Sequence, residues 1–125
     1  MGSKWTVDSA EVDQIDLTFR GEPLWIKVKK ELSHGERNRI RIAGVGTYSR
    51  KVQNNELSDE LQSRPDLEAA TYEKVHVWMT DWSLTDDQNN KLPRTYTTYR
   101  ALKGGLFELI DKAIEDYAAA VDAAE

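Results

Sequence analysis

Between Val12 and Phe19 apolar and polar residues alternate, with Ile15, Leu17 and Phe19 on one face and Gln14, Asp16 and Thr18 on the other. A period of two is that of a half-buried strand. Gly21-Glu22-Pro23 reads as a turn. Leu24, Ile26 and Val28 then alternate with Trp25, Lys27 and Lys29. Two such runs around a short turn predict a β-hairpin, which needs cover because two strands are marginal in water. Ser33-His34-Gly35-Glu36 has the spacing of a capping box, in which Ser33 and Glu36 satisfy each other's free backbone N–H groups. It predicts a helix through about Gly44. Arg39-Ile40-Arg41-Ile42 also alternates and fits a third strand, but the cap favours helix, and Gly44 and Gly46 weaken it beyond that point. Residues 47–64 show little periodicity and predict a long loop, with Leu57 and Leu61 marking one short helical turn.

Pro65 suits a first helical turn, and Asp66 and Glu68 favour its dipole. Leu67, Thr71, Val75, Trp78 and Trp82 then form a helical stripe. Its two tryptophans, four residues apart on one face, are expected to anchor the core. Val75 to Met79 alone would pass for a strand, but the longer window favours helix. The cluster 85–93 is a turn, 95–102 a bridging segment with Tyr96 and Tyr99, and a last helix runs from near Gly104. Leu106, Ile110, Ala113, Ile114, Tyr117 and Val121 make its stripe. The expected fold is α+β: an N-terminal β-hairpin packed on a small bundle of about three α-helices, within one domain over 12–125. Residues 1–11 form a loose arm, pinned at most by Trp5 and Val7, and 118–125 a frayed tail.

At 125 residues with 39% hydrophobic content and a mean hydropathy of −0.67, the chain supports one modest core. No apolar run reaches bilayer length, and the first residues lack a signal peptide's apolar core. Lack of cysteine removes disulfides and thiolate zinc sites and fits an intracellular setting. The formal charge of −5 argues against nucleic acid as a partner. That charge is uneven. Residues 20–51 carry nine basic and three acidic side chains, +6, which leaves −11 for the rest. The bland account is a self-neutralising surface; the sharper one is contact with an acidic protein or head-to-tail self-association.

Catalytic equipment is sparse. His34 and His76 lack a second ligand at helical spacing, and Asp81, Asp86 and Asp87 fit no calcium-loop register. Those acids suit turn closure better. Gly44-Val45-Gly46 is no phosphate cradle. No cofactor or metal is expected, and an enzyme built on His76, Asp81 and Asp86 is the weakest reading. Recognition is better served: Trp25 sits opposite the hairpin's apolar face near Lys27, Lys29, Arg37 and Arg41, a composition common in binding hot spots. The alternative is that Trp25 covers the second sheet face against a helix. Trp78, Trp82, Leu106, Ile110 and Ile114 are the expected structural anchors.

Three stretches together resemble one family. Trp25-Ile26-Lys27-Val28-Lys29-Lys30-Glu31-Leu32-Ser33-His34-Gly35-Glu36-Arg37 is similar to a Trp-bearing strand and helix opening found in tailed-phage proteins. Asp81-Trp82-Ser83-Leu84-Thr85-Asp86 through Lys91-Leu92-Pro93 resembles a turn of the same proteins, and Leu102-Lys103-Gly104-Gly105-Leu106-Phe107 the opening of their last helix. Asn89-Asn90 stands where their turn has glycine, and Gly104-Gly105 where they have proline. The resemblance covers about residues 12–37 and 78–115 and is to tail assembly chaperones. It implies a non-catalytic role in the cytoplasm of an infected bacterium. There such a protein coats the apolar, helical tape measure protein before tail tube subunits polymerise around it. Many copies act together, and a longer form often arises by ribosomal frameshifting. No membrane contact is implied. A structural virion protein, such as a small tail or head-tail connector subunit, is the alternative.

Overall fold

A computed structural model describes residues 4–8, 10–52 and 67–123. The elements are β1 (Val12–Phe19), β2 (Glu22–Lys29), α1 (His34–Val52), α2 (Leu67–Trp78), β3 (Met79–Trp82), α3 (Tyr96–Ala101) and α4 (Leu106–Ala123). The class is the expected α+β with an N-terminal hairpin. In place of a two-stranded hairpin, however, there is a three-stranded antiparallel sheet in the order β1-β2-β3.

The hairpin closes through Arg20 and Gly21, both at positive φ (53° and 85°), the mirror-image two-residue turn that matches strand twist. The turn is therefore shorter than Gly21-Glu22-Pro23, and Glu22 and Pro23 already belong to β2. Ile15 faces Ile26 and Leu17 faces Leu24, so one sheet face is apolar. Ile26, Val28, Val75, Trp82, Ile110 and Ile114 are completely buried between that face and helices α2 and α4. Fully burying aliphatic or aromatic side chains of this size contributes roughly 1.5–3 kcal/mol each.

Three expectations are corrected. The helix carrying Trp78 stops there, and Met79–Trp82 pairs with β2: Met79 with Val28, Asp81 with Lys27, Trp82 with Ile26. Trp78 and Trp82 thus do not share a helix face. Val77, Trp78 and Met79 are all buried, and three consecutive buried positions do not suit a one-sided helix. Strand pairing also satisfies backbone groups of β2 that a longer helix would leave open. A register shift between Lys27 and Val28 accommodates Thr80, which donates to the Lys27 carbonyl at 3.3 Å, and lets Met79 and Trp82 both face the core.

Second, α1 takes the helical alternative at 37–46 and continues to Val52, so 47–52 is not loop. Residues 53–64, with the expected turn at Leu57 and Leu61, lie outside the described residues. The capping box forms: the Ser33 N–H donates to Glu36 Oε1 at 2.9 Å and the Glu36 N–H to Ser33 Oγ at 3.2 Å. Gly44 does not end the helix, and α2 packs tightly against it. A Cβ there would stand 3.3 Å from that of Ala70, so the glycine permits the tight α1–α2 approach.

Third, residues 95–102 hold a short helix and not a plain bridge. The Thr95 hydroxyl caps it by accepting from the Thr98 N–H at 3.3 Å. This delivers Tyr99, 2% exposed, edge-on against Trp82 with ring centroids 5.6 Å apart. In the last helix, α4 is regular through Ala123. Leu106, Ile110 and Ile114 face inward, while Tyr117 packs edge-on to Trp78 and donates to Asp13 Oδ2 at 2.5 Å.

A candidate protein-binding groove

The end of the sheet that carries the hairpin turn is open. Beyond Trp82 the chain makes a small ladder of its own: Thr85 bridges to Lys91, and the Leu92 N–H donates to the Leu84 carbonyl at 2.9 Å. Asp86 closes the tip by accepting from the Gln88 and Asn90 N–H groups at 2.8 and 2.9 Å. Those two backbone bonds hold its carboxyl below the usual aspartate range. Asn89 takes φ 65°, a left-handed conformation that asparagine tolerates, which explains how the turn forms without glycine. The loop is fixed to the core by the Trp82 indole N–H, which donates to the Leu92 carbonyl at 2.9 Å.

On the other side lies the α3–α4 connection. Gly105, at φ 92°, lies against the Phe19 ring, which is 3.6 Å from where a Cβ would stand. The Arg20 guanidinium reaches from the hairpin turn to the Gly104 carbonyl at 3.3 Å, and its Cζ lies 4.8 Å from the centre of the Phe19 ring. The N-terminus of α4 is closed by Glu108, which accepts from the Gly105 N–H at 3.1 Å.

Between these parts runs an open groove of about 530 Å³. Phe19, Leu24, Leu84, Leu92, Leu102 and Leu106 give it an apolar lining, and Arg20, Glu22 and Lys103 provide the charges. An apolar concavity with a few polar rim groups is the usual form of a recognition site. Two of the three stretches singled out in the sequence, 81–93 and 102–107, contribute lining residues, and Trp25–Arg37 contributes none. Ser83, Leu84, Thr85 and Leu92 come from the second, Leu102, Lys103 and Leu106 from the third, and Leu24 immediately precedes the first.

The binding residues expected from sequence are placed differently. Trp25 and Lys27 share one sheet face, and Lys27 Nζ and Lys91 Nζ stand 5.3 and 5.4 Å from the centroid of the Trp25 ring. Lys29 turns away to pair with Glu36. Burial alone would raise the Glu36 pKa, but the Lys29 ammonium and the Ser33 hydrogen bonds outweigh it and hold the carboxyl below its ordinary value. Arg37 pairs with Asp122 at 3.1 Å, and Arg41 donates to Asn38 at 2.5 Å. The five do not form one patch.

His76, Asp81 and Asp86 are likewise committed to separate partners. His76 Nδ1 shares a hydrogen bond of 3.0 Å with the Tyr99 hydroxyl. Burial, helped by the Arg94 charge, holds the imidazole below its usual range. Burial pushes the Tyr99 phenol up to about 12. Asp81 accepts from Lys91 at 3.0 Å. Among the described residues, no three His, Asp or Glu side chains are grouped to hold a metal ion. Among them too, no helix is long and apolar enough to cross a membrane.

The groove was missed in the sequence because its leucines belong to separate elements and follow no single period. A usable signal was Leu84, Leu92 and Leu102, apolar residues standing in otherwise polar turn segments. No family model matches the chain, and neither a curated protein nor a solved structure is significantly similar to it.

Proposed function

We propose that this protein is a non-catalytic assembly factor of the tail assembly chaperone kind, which shields apolar helical segments of a tape measure protein until the tail tube encloses them. The observation carrying this reading is the apolar groove, whose walls include residues of two of the three stretches on which the resemblance rests, 81–93 and 102–107. A groove lined by leucines from four parts of the chain together with Phe19, Pro23 and Ala101 suits the hydrophobic stripe of an amphipathic helix laid along it. The same reading puts the protein in the cytoplasm of an infected bacterium, associating with further copies and acting before tail tube protein polymerises.

Co-expression with a tape measure fragment tests it. The fragment is expected to become soluble and to co-purify with the wild-type chain. A Leu84→Glu/Leu102→Glu variant, folded by circular dichroism, is expected to leave it insoluble. Equal solubilisation by both proteins, or none by either, would refute the proposal. The chain is also expected to be absent from finished particles by mass spectrometry; stoichiometric presence would make it a virion subunit.

A further inference from the structure

Arg20 occupies a position its residue type does not favour. The two-residue turn needs positive φ at both central positions, which asparagine, aspartate and glycine adopt at least cost, yet an arginine stands there at φ 53°. Backbone strain of this sort at a non-glycine residue points toward function. Its side chain is fixed on two sides, by the Phe19 ring and by the Gly104 carbonyl, at the rim of the groove. Lys103 lines the same groove, and neither cation forms a salt bridge among the described residues. Ion pairs engage Lys29, Arg37, Arg39, Lys74, Lys91 and Lys112, none of which lines the groove, so the two lining cations keep their charge for a ligand. With Glu22 as the one acid of the lining, the groove is locally positive on a chain of net charge −5.

We propose that Arg20, assisted by Lys103, is a carboxylate receptor, so that the groove selects an amphipathic helix bearing Glu or Asp beside its apolar stripe. A guanidinium presents donors in a planar fork that matches a carboxylate. Two sides of Arg20 are already held, so less side-chain freedom is lost when the carboxylate arrives. Glu22 on the same rim repels an acid misplaced by a turn and tolerates a lysine there, which sets the orientation of the helix. This rests on the groove being a helix receptor, and it adds the chemistry of what is received.

Two fluorescein-labelled synthetic helices with the same leucine stripe provide the test, one with glutamates and one with lysines flanking it, titrated into the full chain by fluorescence anisotropy. The glutamate peptide is expected to bind at least tenfold more tightly at low salt, with the preference shrinking as salt rises. Arg20→Asn is expected to raise the melting temperature, because asparagine suits the turn, and yet to weaken the glutamate peptide roughly three- to tenfold, the range of one partly exposed charge pair. Arg20→Lys is expected to restore part of that loss. A purely structural Arg20 predicts the first change without the second. Equal binding of both peptides, abolished by Leu84→Glu, would overturn the carboxylate receptor and leave the groove reading standing. No binding of either peptide would overturn both.

Discussion

Replacing Trp82 with phenylalanine measures how firmly the groove is built on the core. The indole is completely buried, and it ties the 83–92 ladder to the core through Nε1, which donates to the Leu92 carbonyl at 2.9 Å, beside the Lys91–Asp81 pair and the Trp25 N–H to Ser83 Oγ bond at the surface. Phenylalanine keeps the edge-on contact with Tyr99 but loses that donor, at about 1 kcal/mol for the net hydrogen bond. The smaller ring forfeits roughly 40 Å² of buried apolar surface, about 1 kcal/mol, and leaves a void adding up to about 1 kcal/mol more. Trp82→Phe should therefore destabilise the fold by about 2–4 kcal/mol, lowering the midpoint of thermal unfolding by roughly 8–15 °C in a chain of this size. Urea and thermal denaturation followed by circular dichroism provide the measurement. Trp5→Phe, at a residue 85% exposed, is the matched control and should stay within about 0.5 kcal/mol. If the two substitutions shift stability equally, the loop is not anchored through Trp82 and the walls of the groove have another origin.

Gly44→Leu forces a side chain into the α1–α2 contact at Ala70 and should cost about 1–3 kcal/mol, part of which Ala70→Gly in the same chain recovers, read by urea unfolding. Asn89→Val places a β-branched residue at φ 65° and should cost roughly 1–2 kcal/mol in the same assay, whereas Asn89→Gly should be neutral or stabilising. Acid should weaken the fold in two steps. His76 has its folded pKa lowered from 6.5, so its contribution is complete above that pH and is lost as pH falls through the lower folded value; His76→Gln should remove this step from a stability–pH series. Glu36 is lowered from 4.5, so its contribution persists above that pH and fades below it, a step that Glu36→Gln should abolish.

What was legible in the chain follows from how far each signal reaches. The hairpin and α4 were plain because their periods, two within Val12–Phe19 and again within Leu24–Lys29, and 3.6 within Leu106–Val121, each face one apolar layer. The start of α1 was plain because Ser33 and Glu36 settle it locally. Trp82 was misplaced because a stripe at helical spacing cannot reveal that β2 has an unpaired edge fifty residues earlier. That edge, a tertiary fact, decides for strand. The extension of α1 past Gly44 was hidden for a similar reason, since glycine's low propensity is outweighed by the closeness of Ala70. At the site, charge clustering in the sequence drew attention to Lys29, Arg37 and Arg41, whose side chains turn out to be engaged within the fold. Arg20 stood in the sequence only as one of the nine basic residues of 20–51, outside the expected turn Gly21-Glu22-Pro23. Only its φ and its reach to Gly104 distinguish it.

A ¹H–¹⁵N correlation titration of the full chain with the leucine-striped glutamate helix tests the central claim most directly. The predicted result is that the largest shifts fall on the amides of Arg20, Leu24, Leu84, Leu92, Leu102 and Leu106, with Trp25 and Lys27 on the opposite sheet face left little changed. Shifts centred on Trp25 and Lys27, or no saturable shifts at all, would contradict it.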